Sequence, residues 1–236
     1  MTAAPIFDSD NEKIVAGALR PKDAATLILV KHDSGEPRVL MGRRHEGMAF
    51  MAGKYVFPGG RVDPGDQRLL VGSELRPDVL TKLTNGTTAS RAKGLALAAI
   101  RETFEETGVI FGERSEKLPR TKTGAWKRFF AHGLMPRLDR LEYIARAITP
   151  PNRTRRFDAR FFMADAAHIG HALDRAESDE LLEACWLTFE EARAQDLPTI
   201  TRRMIDEVEA RVANPRETRP VPFFRFRNNR PSLDYL

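Results

Sequence analysis

Glu102, Glu105 and Glu106 are the residues of this chain whose type and spacing most plainly suit chemistry. They stand at i, i+3 and i+4 in Ala98-Ala99-Ile100-Arg101-Glu102-Thr103-Phe104-Glu105-Glu106-Thr107-Gly108-Val109. At about 100° per residue, Leu97, Ile100 and Phe104 fall within roughly 60° of one another, and the three glutamates gather about 160° away. One face of the predicted helix is built to pack and the other collects negative charge. Like charges at this spacing repel by a few tenths of a kcal/mol per pair, so helix stability does not account for them. A hard divalent cation does, because Mg²⁺ takes carboxylate oxygens and water, usually together with substrate phosphates. A solvated acidic face is the alternative. Arg101 is the adjacent cation, and Gly108 occupies the place of a helix-terminating glycine in the left-handed region.

A second element lies upstream, at Val56-Phe57-Pro58-Gly59-Gly60-Arg61-Val62-Asp63-Pro64-Gly65-Asp66. A β-rich run from Lys54 to Phe57 enters a Pro-Gly-Gly turn whose glycines permit close approach of backbone to an ion or phosphate. Alone, such a turn is an ordinary hairpin.

Together the turn and the acidic helix resemble the Nudix hydrolase signature. Gly60 matches its first glycine, Arg101-Glu102 and Glu105-Glu106 match its acidic core, and Gly108-Val109 closes it. The chain departs from the pattern in three places. Asp66 stands where a glutamate is usual, Thr103 replaces an aliphatic residue, and residues 67 to 100 number 34 where the pattern has seven. An insertion at this point is similar to that of the coenzyme A diphosphatase-like branch, as are the flanks Phe50-Met51-Ala52-Gly53 and Ile148-Thr149-Pro150 with Arg156-Phe157-Asp158-Ala159-Arg160-Phe161-Phe162. That branch carries an arginine near the place of Ala49, so the match there is incomplete.

The resemblance implies an α/β fold, a Nudix-type α/β/α sandwich with a mixed sheet. It implies hydrolysis of the diphosphate in a nucleoside diphosphate linked to another moiety, coenzyme A or acyl-CoA among the candidates, with ADP-ribose or NADH as alternatives. A Nudix-like binding module without activity is the reading from another class, and the intact glutamates speak against it. The implied cofactor is Mg²⁺ or Mn²⁺, held by Glu102, Glu105, Glu106 and the Gly60 carbonyl. Arg101 would orient a glutamate. Arg43 and Arg44, at a strand end leading to the turn, are candidate phosphate contacts. A general base could come from the helix or from a later loop, where Glu177, Asp179 and Glu180 are available.

Around these residues the chain reads as a single domain spanning 1–236, with a core over about 22–197, a box insertion over about 67–92 and a C-terminal helix and arm over about 198–236. Ala24 to Val30 and Arg38 to Arg44 read as a hairpin across Asp33-Ser34-Gly35-Glu36-Pro37, and Lys54 to Phe57 continues the sheet. Gln67 to Thr88 reads as an excursion with a short helix at Pro77 to Leu83, serving either as a surface insertion or as a lid or specificity wall. Trp126, Phe129 and Phe130 read as core. Tyr143 to Ile148, Arg160 to Met163 and Leu182 to Leu187 read as strands, and Phe189 to Gln195 and Ile200 to Val212 as helices. The Pro- and Arg-rich tail after Asn214 reads as an irregular arm.

Bulk properties narrow the classes further. The chain is 42% hydrophobic and 30% charged, as an ordinary globule is, and its longest apolar runs fall far short of the ~20 residues of a membrane span. Net charge is +5, yet the basic residues are dispersed and no aromatic-interleaved strand pair accompanies them, so an anionic small molecule is favoured over nucleic acid. Cys185 is the only cysteine, which excludes an internal disulfide and makes burial beside Trp186 the expectation. No histidine stands at zinc-ligand spacing from it. The N-terminal residues have no basic-then-apolar leader, so a cytoplasmic location is expected. A homodimer is compatible with the sequence, which fixes no oligomeric state.

Overall fold

A computed structural model describes residues 19–236 apart from 33–34, 49–50, 152, 175, 177 and 229. Glu177, Ala49, Phe50 and the first half of the expected 33–37 turn therefore lie outside the described residues. In chain order the strands and helices are β1 (Lys22–Lys31), β2 (Arg38–Arg44), β3 (Tyr55–Val56), β4 (Gly59–Arg61), α1 (Pro64–Arg68), α2 (Pro77–Leu83), α3 (Ala89–Thr107) and β5 (Val109–Arg114). There follow α4 (Gly124–Ala131), β6 (Leu134–Pro136), β7 (Glu142–Ile148), β8 (Phe157–Asp165), β9 (Ile169–Ala172), β10 (Leu181–Thr188), α5 (Phe189–Arg193), α6 (Thr199–Ala213), β11 (Pro222–Arg227) and β12 (Arg230–Tyr235).

The main sheet runs β10-β2-β1-β8-β7-β11-β12, with β3 joined to β2 and β4 to β1. It is mixed, because β1 pairs β8 and β7 pairs β11 in parallel while the other pairs are antiparallel. A small second sheet runs β6-β5-β9. Strand β1 has helices on both sides, which is why its sequence is apolar almost throughout. Ala25, Leu27 and Leu29 pack with Leu97, Ile100 and Phe104 of α3, whereas Ile28 and Val30 pack with Met204, Ile205 and Val208 of α6. The α/β/α sandwich expected from the sequence is thus present. Among the described residues no helix is long and apolar enough to cross a membrane.

Helix α3 begins where Thr88 Oγ1 accepts the Arg91 N–H at 3.3 Å, and it stops at Gly108, whose φ is 72°. The glycine is required there because a side chain is strained at that φ. Trp126, Phe129 and Phe130 are buried core as expected, while Cys185 is only half-buried.

One expectation needs correction. The tail is not an irregular arm: β11 and β12 form a hairpin on the sheet edge, with Phe223 and Phe224 buried and Arg225 Nε donating to Asp234 Oδ2 at 2.6 Å. Cross-strand burial and charge pairing outweigh the low strand propensity of its prolines. The short helix expected in the 67–88 excursion falls on the expected residues, Pro77–Leu83, and the segment is anchored in the core. Val71, Leu75, Val79 and Leu83 are buried in the same cluster as Leu95 and Ile100.

Candidate active site

The site arises because α5 and α6 leave part of their face of the sheet uncovered. Beyond Ile28 and Val30, the stretch holding Ala24 and Thr26 is left open as a cleft of about 990 Å³. That volume sits at the upper end for small-molecule sites. Arg44, Lys54, Arg61, Arg153 and Arg155 line it, against two carboxylates, Glu102 and Glu180.

Glu102 comes from α3, on the opposite side of the sheet, and reaches the cleft past β4. A Cβ at Gly60 would lie 2.5 Å from the Glu102 Cδ, and one at Gly59 would lie 2.6 Å from the Ala25 carbonyl. Gly59 must therefore be glycine to pair closely with β1, whereas a side chain at Gly60 would displace the Glu102 carboxylate from its place beside β4. The Gly59 N–H donates to Glu106 Oε2 at 2.8 Å, and Glu106 is 2% exposed. Burial, reinforced by the charge of Glu102, pushes the Glu106 carboxyl up to about 8. Burial also pushes Glu102 up to about 7, against the pull of Arg101. The two carboxyls thus lie one helical turn apart in surroundings that disfavour a second negative charge.

Arg101 joins the two halves of the motif. It is 4% exposed, and its Nε and Nη2 donate to Asp66 at 2.9 and 3.0 Å. Nη2 also donates to the Arg61 carbonyl at 2.8 Å, and Nη1 to Glu105 at 2.6 Å, with Glu102 at 2.9 Å. Burial acts against its charge, but the bonds to Asp66 and the charge of Glu102 hold it protonated, above its ordinary value. Asp66 is fully buried and also accepts from the Trp126 indole N–H and the Asp63 backbone N–H, each at 2.8 Å. A carboxylate one methylene shorter than glutamate serves because Asp66 sits in the first turn of α1, where it closes a capping box with Asp63.

The predicted site residues separate in space. Glu102, Glu106, Gly60 and Arg101 come together. Glu105 is turned toward Arg101 and Arg128, the latter 3.3 Å away. Arg43 and Arg44, adjacent on β2, point apart: Arg43 donates to Glu46 and Glu183 at 3.1 and 3.2 Å and does not line the cleft. Arg44 does line it. Its side chain is 13% exposed, its buried Nε has no hydrogen-bond acceptor among the described residues, and its Nη2 lies 3.7 Å from Glu180 Oε2. Of the later acids, Glu180 lines the cleft and Asp179 does not. Sequence reasoning missed the far wall, formed by Ala147, Thr149, Pro150, Ala159 and the segment near Arg155. Its one signal was alanine in strands that otherwise favour larger residues.

Among the described residues no group of three or more His, Cys, Asp or Glu side chains forms a closed cage for a metal. Two carboxylates beside a glycine backbone instead make an open-sided donor set, the kind that suits a cation shared with waters and substrate phosphates.

No protein-family model matches the chain, and no curated protein matches it. Among solved structures it is similar to a Nudix hydrolase from Alicyclobacillus acidocaldarius, with 25% identity over 83% of this chain and 96% of that one and a TM-score of 0.61. It is also similar to the Nudix domain of Shewanella oneidensis NrtR, solved with ADP ribose, with 11% identity, 82% and 90% coverage and a TM-score of 0.48. RenU, a Nudix hydrolase from M. Smegmatis, has 16% identity, 84% and 90% coverage and a TM-score of 0.44. The fold assignment rests on the first of these.

Proposed function

We propose that the chain is a Nudix pyrophosphohydrolase, on its likeness to the Alicyclobacillus acidocaldarius Nudix hydrolase, and that it hydrolyses the diphosphate linkage of a nucleoside diphosphate joined to another moiety. We take coenzyme A or its acyl esters as the substrate, with ADP-ribose and NADH as competitors. The observation that carries the reading is the carboxylate pair of half-buried Glu102 and buried Glu106, set against the side-chain-free Gly59–Gly60 edge of a large cleft. Glu102, Glu106 and the Gly60 carbonyl, with Glu105 at the rim, would hold Mg²⁺ or Mn²⁺, which when bound would supply charge neutralisation at the diphosphate and lower the pKa of the attacking water.

The chain's own groups do the rest. The Gly59 N–H fixes one oxygen of Glu106 and so sets the orientation of its carboxylate. Arg101 holds Glu102 and Glu105 in position and makes no contact with substrate. Arg44, which lines the cleft and whose Nε is an unused donor, is the phosphate contact, whereas Arg43 is occupied by Glu183 and Glu46. Glu180 lines the cleft with Glu102 and is our candidate to accept the proton of the attacking water at its carboxylate.

The test is incubation of the purified protein with coenzyme A, acetyl-CoA, ADP-ribose, NADH and diadenosine polyphosphates, with and without Mg²⁺ or Mn²⁺, products being identified by mass. Metal-dependent cleavage within a diphosphate is expected, and Glu106→Gln should lower kcat at least about a hundredfold with circular dichroism unchanged. Activity that needs no metal, or near-normal turnover in the variant, would overturn the reading.

A further inference from the structure

The cleft carries more positive charge than its glycine edge can use. Arg44, Lys54, Arg61, Arg153 and Arg155 line it, against the carboxylates of Glu102 and Glu180. Arg44 lies 3.7 Å from Glu180, Lys54 donates to Asp196 at 2.7 Å, and Glu102 is met by Arg101 at 2.9 Å. Arg153 and Arg155 belong to a different place, the connection between β7 and β8. Arg155 is exposed and has no acidic partner among the described residues.

That connection is held at its base. The Thr149 N–H donates to the Phe157 carbonyl at 2.9 Å, and the Phe157 N–H donates to Thr149 Oγ1 at 3.0 Å. Arg156 turns its guanidinium inward as a tie, with Nε donating to the Thr149 carbonyl at 3.1 Å and Nη1 to the Leu19 carbonyl at 2.6 Å. Arg153, Thr154 and Arg155 are left to line the cleft together. Register sets their distance from the glycine edge. Gly59 pairs with Thr26, and Thr26 with Phe161 of β8. Phe157, where β8 begins, is four residues from Phe161, or about 13 Å along the strand. The cationic loop thus stands away from the Gly59–Gly60 edge by a gap that a nucleoside fills once arginine side chains reach back over it.

We propose that Arg153 and Arg155 form a subsite for a phosphate monoester that the substrate carries on a ribose hydroxyl, apart from its diphosphate. The proposal rests on the diphosphatase reading and adds a second anionic requirement to it. A phosphate monoester carries about two negative charges near neutral pH, and guanidinium groups recognise it through paired N–H donors. Each phosphate of the diphosphate has only one ionised oxygen and lies at the glutamate end. The two arginines are therefore specificity-determining residues, which favour ribose-phosphorylated nucleotides over the same nucleotides without that group. ADP-ribose and NADH lack the group this loop reads.

The test uses matched pairs that differ by one phosphate, coenzyme A with 3′-dephospho-coenzyme A and NADPH with NADH. In at least one pair the phosphorylated member should have a kcat/KM higher by at least about tenfold, mainly through KM. Arg155→Gln should remove most of that preference, lowering kcat/KM for the phosphorylated member far more than for its partner, and Arg153→Gln should do the same. Arg120→Gln, at an exposed position outside the cleft, should leave the preference as it was. Equal kcat/KM within both pairs, an equal loss on both members in the variants, or the same effect from Arg120→Gln would overturn the proposal while leaving the diphosphatase reading intact. Diadenosine tetraphosphate cleaved faster than any of these, and slowed by Arg155→Gln, would also overturn it by assigning the cations to a longer phosphate chain. If no compound is hydrolysed, the diphosphatase reading fails instead. Titration calorimetry then decides the subsite, which requires tighter binding of adenosine 3′,5′-bisphosphate or adenosine 2′,5′-bisphosphate than of adenosine 5′-monophosphate and loss of that difference in Arg155→Gln.

Discussion

Replacing Leu70 to Thr87 by a short Gly-Ser linker distinguishes a structural insertion from a specificity wall. The segment carries four buried apolar side chains, Val71, Leu75, Val79 and Leu83, none more than 9% exposed. At about 1.5–3 kcal/mol each, their removal forfeits roughly 6–12 kcal/mol. The whole stability of a domain is about 5–15 kcal/mol. The shortened protein is therefore expected to lose cooperative folding, or to unfold at a small fraction of the urea concentration the full chain withstands. Leu83→Ala gives a graded version and should cost about 2–5 kcal/mol. Leu70→Ala, at an 80% exposed position, should change stability by less than about 0.5 kcal/mol. Urea unfolding followed by the fluorescence of Trp126, buried in the same cluster, reads all three. No residue of the insertion lines the cleft, so KM should follow stability rather than move alone. A shortened protein with an unchanged unfolding midpoint and a raised KM would refute this reasoning and make the insertion a wall.

In chelator-treated protein, stability should fall as pH rises from about 4.5 toward about 8, because folded Glu106 binds its proton more tightly than the unfolded chain does. The slope from this group is at most about 1.4 kcal/mol per pH unit, and urea titrations of Glu106→Gln should show it reduced; equal slopes would exclude Glu106 as the source. Asp66→Ala should destabilise by about 3–5 kcal/mol, since it strands the Arg101 guanidinium in the interior; a loss under 1 kcal/mol in thermal unfolding would mean that water replaces the carboxylate. Hydrolysis in ¹⁸O-labelled water should place the label on one phosphate product with no covalent phospho-enzyme, and a trapped phospho-enzyme seen by mass would contradict direct attack by water.

The packing face of α3 was legible because Leu97, Ile100 and Phe104 obey a 3.6-residue period that burial simply enforces. The opposite face was legible in composition but not in environment. Glu106 and Arg101 look like solvated positions on a helical wheel, yet β4 lies across them and buries both. Arg43 and Arg44 were indistinguishable as neighbours, and only the alternation of β2 against β10 separates them. The burial of the insertion follows from partners far along the chain, which its uneven apolar spacing does not announce.

The Arg101 clasp bears on how long the segment between its partners can be. Closing 34 residues rather than seven between the paired groups costs only about 1.4 kcal/mol more on a logarithmic scale. A doubly hydrogen-bonded, buried guanidinium–carboxylate contact is strong enough to meet that demand. The distance along the chain between Asp66 and Arg101 is thus nearly free to drift, while the distance in space is not. Additional sequence can enter between the two residues and acquire a hydrophobic footing of its own without moving Glu102 or Glu106, which makes this stretch a natural point for the enzyme to diversify.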